Sequence, residues 1–287
     1  MDAVPGPKRL KKNTTIPLCH SQRLWAYSTQ HNGWVAQLAN EYSGKFDVLN
    51  RGFAGFSIVL ADFNHFTFKN PSESPLGKYV VSKNTQREAS SCRLVVIFLG
   101  VNDAALPSPD SSHVPLPEFR RNLSQMISQI SLLNNNSTSP PIRMLLITPP
   151  LVDEDQWLIT LKSYNLDAVL DRNNQTTSVY ASAIVDVGSQ FNIPVVDLFS
   201  HLSNELKLVS QTSNKKHSKN PFLYDGLHLN STGNDILSKL VIEAINSNFP
   251  EISSKSIPYN VPSPKKVAKL QKQIETSLHV PPLLSKL

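Results

Sequence analysis

The chain has 287 residues and is 40% hydrophobic, enough to bury the core of one α/β domain with tails at its ends. Its net charge of +6 resides in those ends: residues 1–18 carry +3, residues 251–287 carry +4, and the body between them carries −1. A near-neutral body lacks the clustered Lys and Arg of a nucleic-acid-binding face, and no run approaches the roughly eighteen apolar residues of a membrane span.

Residues 1–18 hold Pro5, Pro7 and Pro17 around Lys8, Arg9, Lys11 and Lys12, a composition that predicts a largely disordered basic segment with only a short extended piece at Thr14–Ile16. Trp34, Leu38, Ala39 and Tyr42 recur at helical spacing, so residues 33–45 read as a helix. A short strand, 46–50, follows and runs into the glycine loop Arg51-Gly52-Phe53-Ala54-Gly55. Residues 57–91 lose periodicity and carry Asn70-Pro71 and Ser74-Pro75, which predicts an irregular insertion. Arg93–Leu99 is apolar without alternation, as expected of a strand buried on both faces of a parallel sheet, and it ends in Gly100-Val101-Asn102-Asp103.

Phe119, Leu123, Met126, Ile127, Ile130 and Leu133 share one face of a helix over 115–133. Strands follow at 142–148 and 193–198, with a helix over 176–190 before the second and a stretch over 151–175 that reads as irregular or weakly helical. Beyond His228, Asn230 or Ser231 caps a helix that carries Ile236, Leu237, Leu240, Val241, Ala244 and Ile245. The basic tail, 251–287, places Val267, Leu270, Ile274 and Leu278 on one helical face, which predicts a solvated amphipathic helix. Strands alternating with helices specify a parallel sheet covered on both faces, whose chemistry gathers in loops at the carboxyl ends of its strands. The domain so delimited spans 19–250.

Three loops then converge on one edge. Asp225-Gly226-Leu227-His228 sets a carboxylate three residues before an imidazole. In nucleophilic catalysis the imidazole takes the proton of a hydroxyl or thiol, while the carboxylate fixes its tautomer. An isolated Asp-x-x-His is more often a turn and a surface histidine; its weight here comes from the company it keeps. Gly52 and Gly55 allow close approach of backbone N–H groups, and Asn102 offers a neutral amide donor, the two kinds of group an oxyanion hole needs. No cluster of His, Cys and carboxylate has zinc-like spacing, so neither metal nor cofactor is expected.

Taken in order, these segments resemble the SGNH or GDSL hydrolases, a family of esterases and lipases, and within it the isoamyl acetate-hydrolysing esterases. The resemblance rests on Asn50-Arg51-Gly52-Phe53-Ala54-Gly55-Phe56, Phe98-Leu99-Gly100-Val101-Asn102-Asp103, Asp225-Gly226-Leu227-His228, and Val114-Pro115-Leu116-Pro117-Glu118-Phe119. It implies a flavodoxin-like three-layer α/β/α fold, Gly55 and Asn102 as oxyanion donors, Asp225 and His228 as acid and base, and a small acyl ester such as an acetate ester as substrate. The first block departs from the family: no Gly-Asp-Ser occurs anywhere. With Gln22 aligned to the Gln that follows that block, Cys19 takes the nucleophile's position and Ser21 that of the Thr.

The expected first strand is therefore degenerate, and an edge it leaves open would admit pairing into a homodimer. Loss of the nucleophile predicts little or no esterase activity and Cys19 and Ser21 beyond hydrogen-bond reach of His228 or reaching it only loosely, leaving a pseudoenzyme that binds esters or acyl groups as the alternative reading. A third reading is an interaction protein acting through its basic tails. Two cysteines and no apolar run at the start predict a reducing, cytoplasmic setting, in which the Asn-x-Ser/Thr triplets are chance matches.

Overall fold

Every residue of the segment Leu94–Phe98 is buried, and its neighbours divide by parity. Leu94, Val96 and Phe98 meet one apolar cluster, while Val95 and Ile97 meet another. Strand side chains alternate between faces, so this segment has a hydrophobic layer on each side, as its unbroken apolar run foretold.

The computed structural model describes residues 15–20, 32–50, 92–109, 111–135, 140–212, 220–260 and 264–277. Its strands are β1 (Thr15–His20), β2 (Asp47–Asn50), β3 (Leu94–Phe98), β4 (Arg143–Ile147) and β5 (Val195–Val196). Its helices are α1 (Trp34–Glu41), α2 (Leu116–Asn135), α3 (Glu154–Tyr164), α4 (Asn174–Gln190), α5 (Leu198–Thr212), α6 (Ser231–Asn248) and α7 (Pro264–Ser277). The sheet order is β2-β1-β3-β4-β5 and every pairing is parallel. This is the doubly wound flavodoxin-like order, with its switch point between β1 and β3.

The two layers follow from helix amphipathicity. Trp34, Val35 and Leu38 of α1, Leu202 of α5 and Leu237, Val241 and Ile245 of α6 cover one face of the sheet. Phe119, Leu123, Met126 and Ile127 of α2 and Tyr180, Ala183, Ile184 and Val187 of α4 cover the other. Side chains cap three of the helices: Asn230, the cap read from the sequence, accepts from Gly233 N–H at 3.1 Å, and two that the sequence reading did not name, Asn173 and Asp153, accept from Thr176 N–H at 2.7 Å and Gln156 N–H at 3.1 Å.

The amino-terminal strand is degenerate in sequence yet fully integrated. β1 pairs with β2 from Thr15 to Leu18 and with β3 from Leu18 to His20, so it lies inside the sheet and the edges are β2 and β5. The open edge on which the homodimer expectation rested is therefore not left by β1. Pro17 has no N–H to give a ladder, which is why the sequence argued against a strand here. The strand also runs across the boundary drawn at residue 18, because pairing on both sides outweighs a Lys- and Pro-rich composition.

The boundary drawn at 250 shifts as well. Ile252, Ser253 and Ser254 are buried, Tyr42 Oη donates to Ile252 O at 2.8 Å, and Asn260 N–H donates to Gly44 O at 2.7 Å. The first ten residues of the basic tail thus close the end of the α1–α6 layer, and the tail proper begins after Asn260. Within it, α7 exposes Val267, Leu270 and Ile274, while Leu278, the fourth residue of the expected stripe, lies outside the described residues. Among the described residues, no helix is long and apolar enough to cross a membrane.

Candidate active site

The loop bearing the Asp-x-x-His segment is pinched shut at its base. Leu223 and Leu229 form an antiparallel bridge, Tyr224 N–H donates to His228 O at 2.7 Å, and Asn230 N–H donates to Phe222 O at 2.9 Å. Inside the loop, Asp225 Oδ1 accepts from the N–H groups of Leu227 and His228 at 3.0 and 2.8 Å, and its Oδ2 lies 2.7 Å from His228 Nδ1. Occupation of Nδ1 by the carboxylate fixes the ring's orientation and assigns any proton transfer to Nε2.

Burial pushes the Asp225 carboxyl upward. The hydrogen bond from the His228 ring, its charge and the two backbone N–H groups outweigh burial and hold the carboxyl below its ordinary value. Asp225 is thereby kept anionic, as an orienting partner to an imidazole must be.

Helix α3 buttresses this loop. Gly226 has φ +99° and its carbonyl accepts from Asp153 N–H at 2.9 Å, directly at the helix start. A methyl group at Gly226 would lie 2.4 Å from Trp157 N and 2.8 Å from Asp153 O, so only glycine permits this approach. Thr160 Oγ1 donates to Asp225 O at 2.7 Å, and the Trp157 ring stands edge to face with His228 at 6.3 Å between centroids. Asp153 both caps the helix and accepts from Asn220 N–H at 3.1 Å through Oδ2.

The second loop leaves the carboxyl end of β3. Gly100 adopts φ +110° and donates its N–H to Asp103 Oδ2 at 3.1 Å, which coils Val101–Asp103 into a tight turn. Asn102 is buried; its backbone carbonyl accepts from Ala105 N–H at 3.0 Å and Ser112 Oγ at 2.9 Å. Its side-chain oxygen accepts from Arg172 Nη2 at 3.1 Å. Val101 shares an apolar cluster with Val152, Trp157 and Leu227, so the loops that carry Asn102 and His228 pack against one another.

Gly55 and Ser21 lie outside the described residues. Cys19 belongs to β1 and pairs in register with Ile97, within the sheet ladder. Sequence reasoning missed Asp153, Trp157, Thr160 and Arg172, all in the stretch read as irregular or weakly helical. The available signal was Asp153-Glu154-Asp155, a cap followed by two acids in a first helical turn. Among the described residues, no group of three or more His, Cys, Asp and Glu could hold a metal ion.

A doubly wound parallel sheet carrying an Asp–His pair and a buried Asn amide at one edge defines an SGNH-like hydrolase architecture. Residues 21–236 match the GDSL-like Lipase/Acylhydrolase family, and the chain belongs to that family. It is 30% identical to a GDSL esterase/lipase of Arabidopsis thaliana, over 83% of this chain and 87% of the relative. It is 28% identical to the isoamyl acetate-hydrolyzing esterase of Saccharomyces cerevisiae, over 79% of this chain and 80% of the relative. Among solved structures, the acetyl xylan esterase AlAXEase superposes with a TM-score of 0.55 at 16% identity, over 80% of this chain and 99% of that one, a likeness of fold.

Proposed function

We propose that the chain hydrolyses small carboxylic esters, such as acetate esters, at the edge where the Asp225–His228 and Asn102 loops meet. The observation that carries this reading is the 2.7 Å contact between His228 Nδ1 and Asp225 Oδ2, in a loop buttressed against the one that presents Asn102. The imidazole Nε2 takes the nucleophile's proton as its oxygen attacks the ester carbonyl. It then returns that proton to the departing alcohol, and water repeats the sequence on the acyl-enzyme. Asn102, with Gly55 by family resemblance, steadies the oxygen that becomes negative.

The nucleophile of this reading comes from the end of β1. β1 is a paired strand that leads toward the same edge, so the strand support that Pro17 argued against is present, and this favours turnover over a bare binding pocket. Its last paired residue is His20, which makes Ser21, the next residue in the chain, a better candidate than Cys19. The second reading, an acyl-binding pocket without turnover, is favoured by the missing Gly-Asp-Ser.

The test is hydrolysis of p-nitrophenyl acetate and isoamyl acetate by the purified chain and by its His228→Ala, Ser21→Ala and Cys19→Ala variants. The proposal expects turnover that falls by about 10⁴-fold or more in His228→Ala and in one of the other two. Absence of turnover in the unmodified chain, with saturable binding of an acetate ester, would establish the second reading instead.

A further inference from the structure

An oxyanion donor made from an Asn side chain has a weakness that a backbone N–H does not share. The amide's oxygen and nitrogen ends have nearly the same shape, and a half-turn about the last side-chain bond replaces a donor by an acceptor. In the flipped state Asn102 would repel the charge it is meant to stabilise. Something must therefore fix which end faces outward.

Arg172 is built to do this. It is 8% exposed, and its guanidinium, which can only donate, spreads over three acceptors. Nε donates to Val101 O at 3.2 Å, Nη2 to Asn102 Oδ1 at 3.1 Å, and Nη1 to the Asp171 carboxylate. Asp171 is held in turn by Trp157 Nε1, which donates to its Oδ1 at 2.7 Å, and by its backbone carbonyl, which accepts from Leu106 N–H at 2.7 Å. The guanidinium carbon lies 5.7 Å from the centroid of the Trp157 ring, whose edge-to-face partner is His228.

Resting on the esterase reading, we propose that Arg172 is a positioning residue that commits the carbonyl end of the Asn102 amide inward and thereby makes its NH₂ end the oxyanion donor. A flipped amide would set N–H against N–H inside a buried site, where an unpaired donor is costly. The simultaneous bond to Val101 O ties the guanidinium to the very turn that carries Asn102. Asp171 balances the buried charge, and Trp157 links this arm to the one bearing His228.

The test compares Arg172→Met and Arg172→Lys, each in the unmodified and in the Asn102→Ala background, by kcat and KM for p-nitrophenyl acetate, with circular dichroism as the folding control. Arg172→Met is expected to lower kcat by about 10²-fold, the effect of losing one oxyanion donor, with KM little changed. In the Asn102→Ala background the same substitution is expected to cost less than about twofold, because the group it positions is gone. Arg172→Lys, which has donors but no planar fork, is expected to recover part of the loss. A kcat within about twofold of the unmodified chain in Arg172→Met, or an equal loss in both backgrounds, would overturn the proposal.

A readout independent of turnover separates this from the esterase reading. The ¹H–¹⁵N signals of the Asn102 side-chain amide, assigned by their loss in Asn102→Asp, are expected to shift in Arg172→Met and to stay closer to their original positions in Arg172→Lys. If the unmodified chain turns over no ester, the esterase reading falls while this measurement still decides what Arg172 does. Should Arg172→Met fail to fold, Arg172→Lys with unchanged kcat and unchanged Asn102 amide signals overturns the proposal.

Discussion

Replacement of Gly226 by Ala acts on the point where α3 and the Asp225–His228 loop touch. At φ +99° an L side chain is strained by roughly 1–3 kcal/mol whatever its surroundings. The new methyl would also lie 2.4 Å from Trp157 N and 2.8 Å from Asp153 O and Trp157 Cα, which are backbone atoms in the first turn of a capped helix. None of them can rotate away. Reaching ordinary contact from 2.4 Å requires the loop to withdraw by about 1 Å, which breaks the 2.9 Å bond from Asp153 N–H to Gly226 O and strains the one from Thr160 to Asp225 O. Overpacking of this kind adds about 1–3 kcal/mol, so the total loss is about 2–6 kcal/mol.

Asp225 and His228 flank this residue, and in the proposed esterase reading a displacement of about 1 Å at a reacting group costs on the order of 10²-fold in rate. Gly226→Ala is therefore expected to lower the melting temperature by about 5–15 °C and kcat for p-nitrophenyl acetate by about 10²-fold. Thermal melts by circular dichroism and steady-state kinetics measure the two. A variant with unchanged melting temperature and unchanged kcat would refute the claim that α3 positions this loop.

Asp225→Asn is nearly isosteric with Asp225 but leaves the imidazole in the wrong tautomer, so kcat is expected to fall by about 10³- to 10⁴-fold with little change in KM. The depressed Asp225 carboxyl links stability to pH. Its folded pKa lies below the unfolded value, so its contribution is complete above the ordinary value of 3.8 and disappears as pH falls through the folded pKa. The stability gap between the unmodified chain and Asp225→Asn, measured by urea unfolding, is expected to be constant near neutrality and to shrink only below that value. Burial pushes the Cys92 thiol up to about 12, and its Sγ donates to Leu94 O, so its alkylation is expected to track global unfolding and to proceed no faster.

The fold was legible where the hydrophobic pattern was unambiguous. β3 announced itself as an apolar run with no alternation, and α2, α4 and α6 as stripes at helical spacing. β1 was legible only as a degenerate first strand with a short extended piece at its start, because its strand character comes from the neighbours it pairs with on both sides; Pro17 and the lysines before it point the other way locally. α3 was read only as irregular or weakly helical, and α5 was missed, for a related reason. In α3 only Trp157 is buried, so the helix has no apolar stripe to read, and its start is written instead in Asp153 and the acids after it. α5 starts just past Asp197, which accepts from Ser200 N–H at 3.1 Å, a cap that the strand reading of 193–198 absorbed into its end.

For the site the division runs between chemistry and support. Asp225, His228 and Asn102 are residue types whose chemistry is scarce enough to stand out in a sequence, and the loops that carry them pack against one another. The groups that aim them are ordinary by type. Thr160 is one threonine among many, Arg172 one of many cations, and each acquires its role only because α3 folds back over the loop and α4 starts beside it. Gly226 falls between the two groups: sequence marks it as part of a motif, but only the 2.4 Å approach to Trp157 explains why no other residue fits there. The support is thus carried by contacts between residues 70 apart in the chain, as between Asn102 and Arg172, and such pairs leave no periodic trace in a sequence. What selects them is the geometry of one turn, Gly100 to Asp103, which buries Asn102 and so obliges its amide to find a partner.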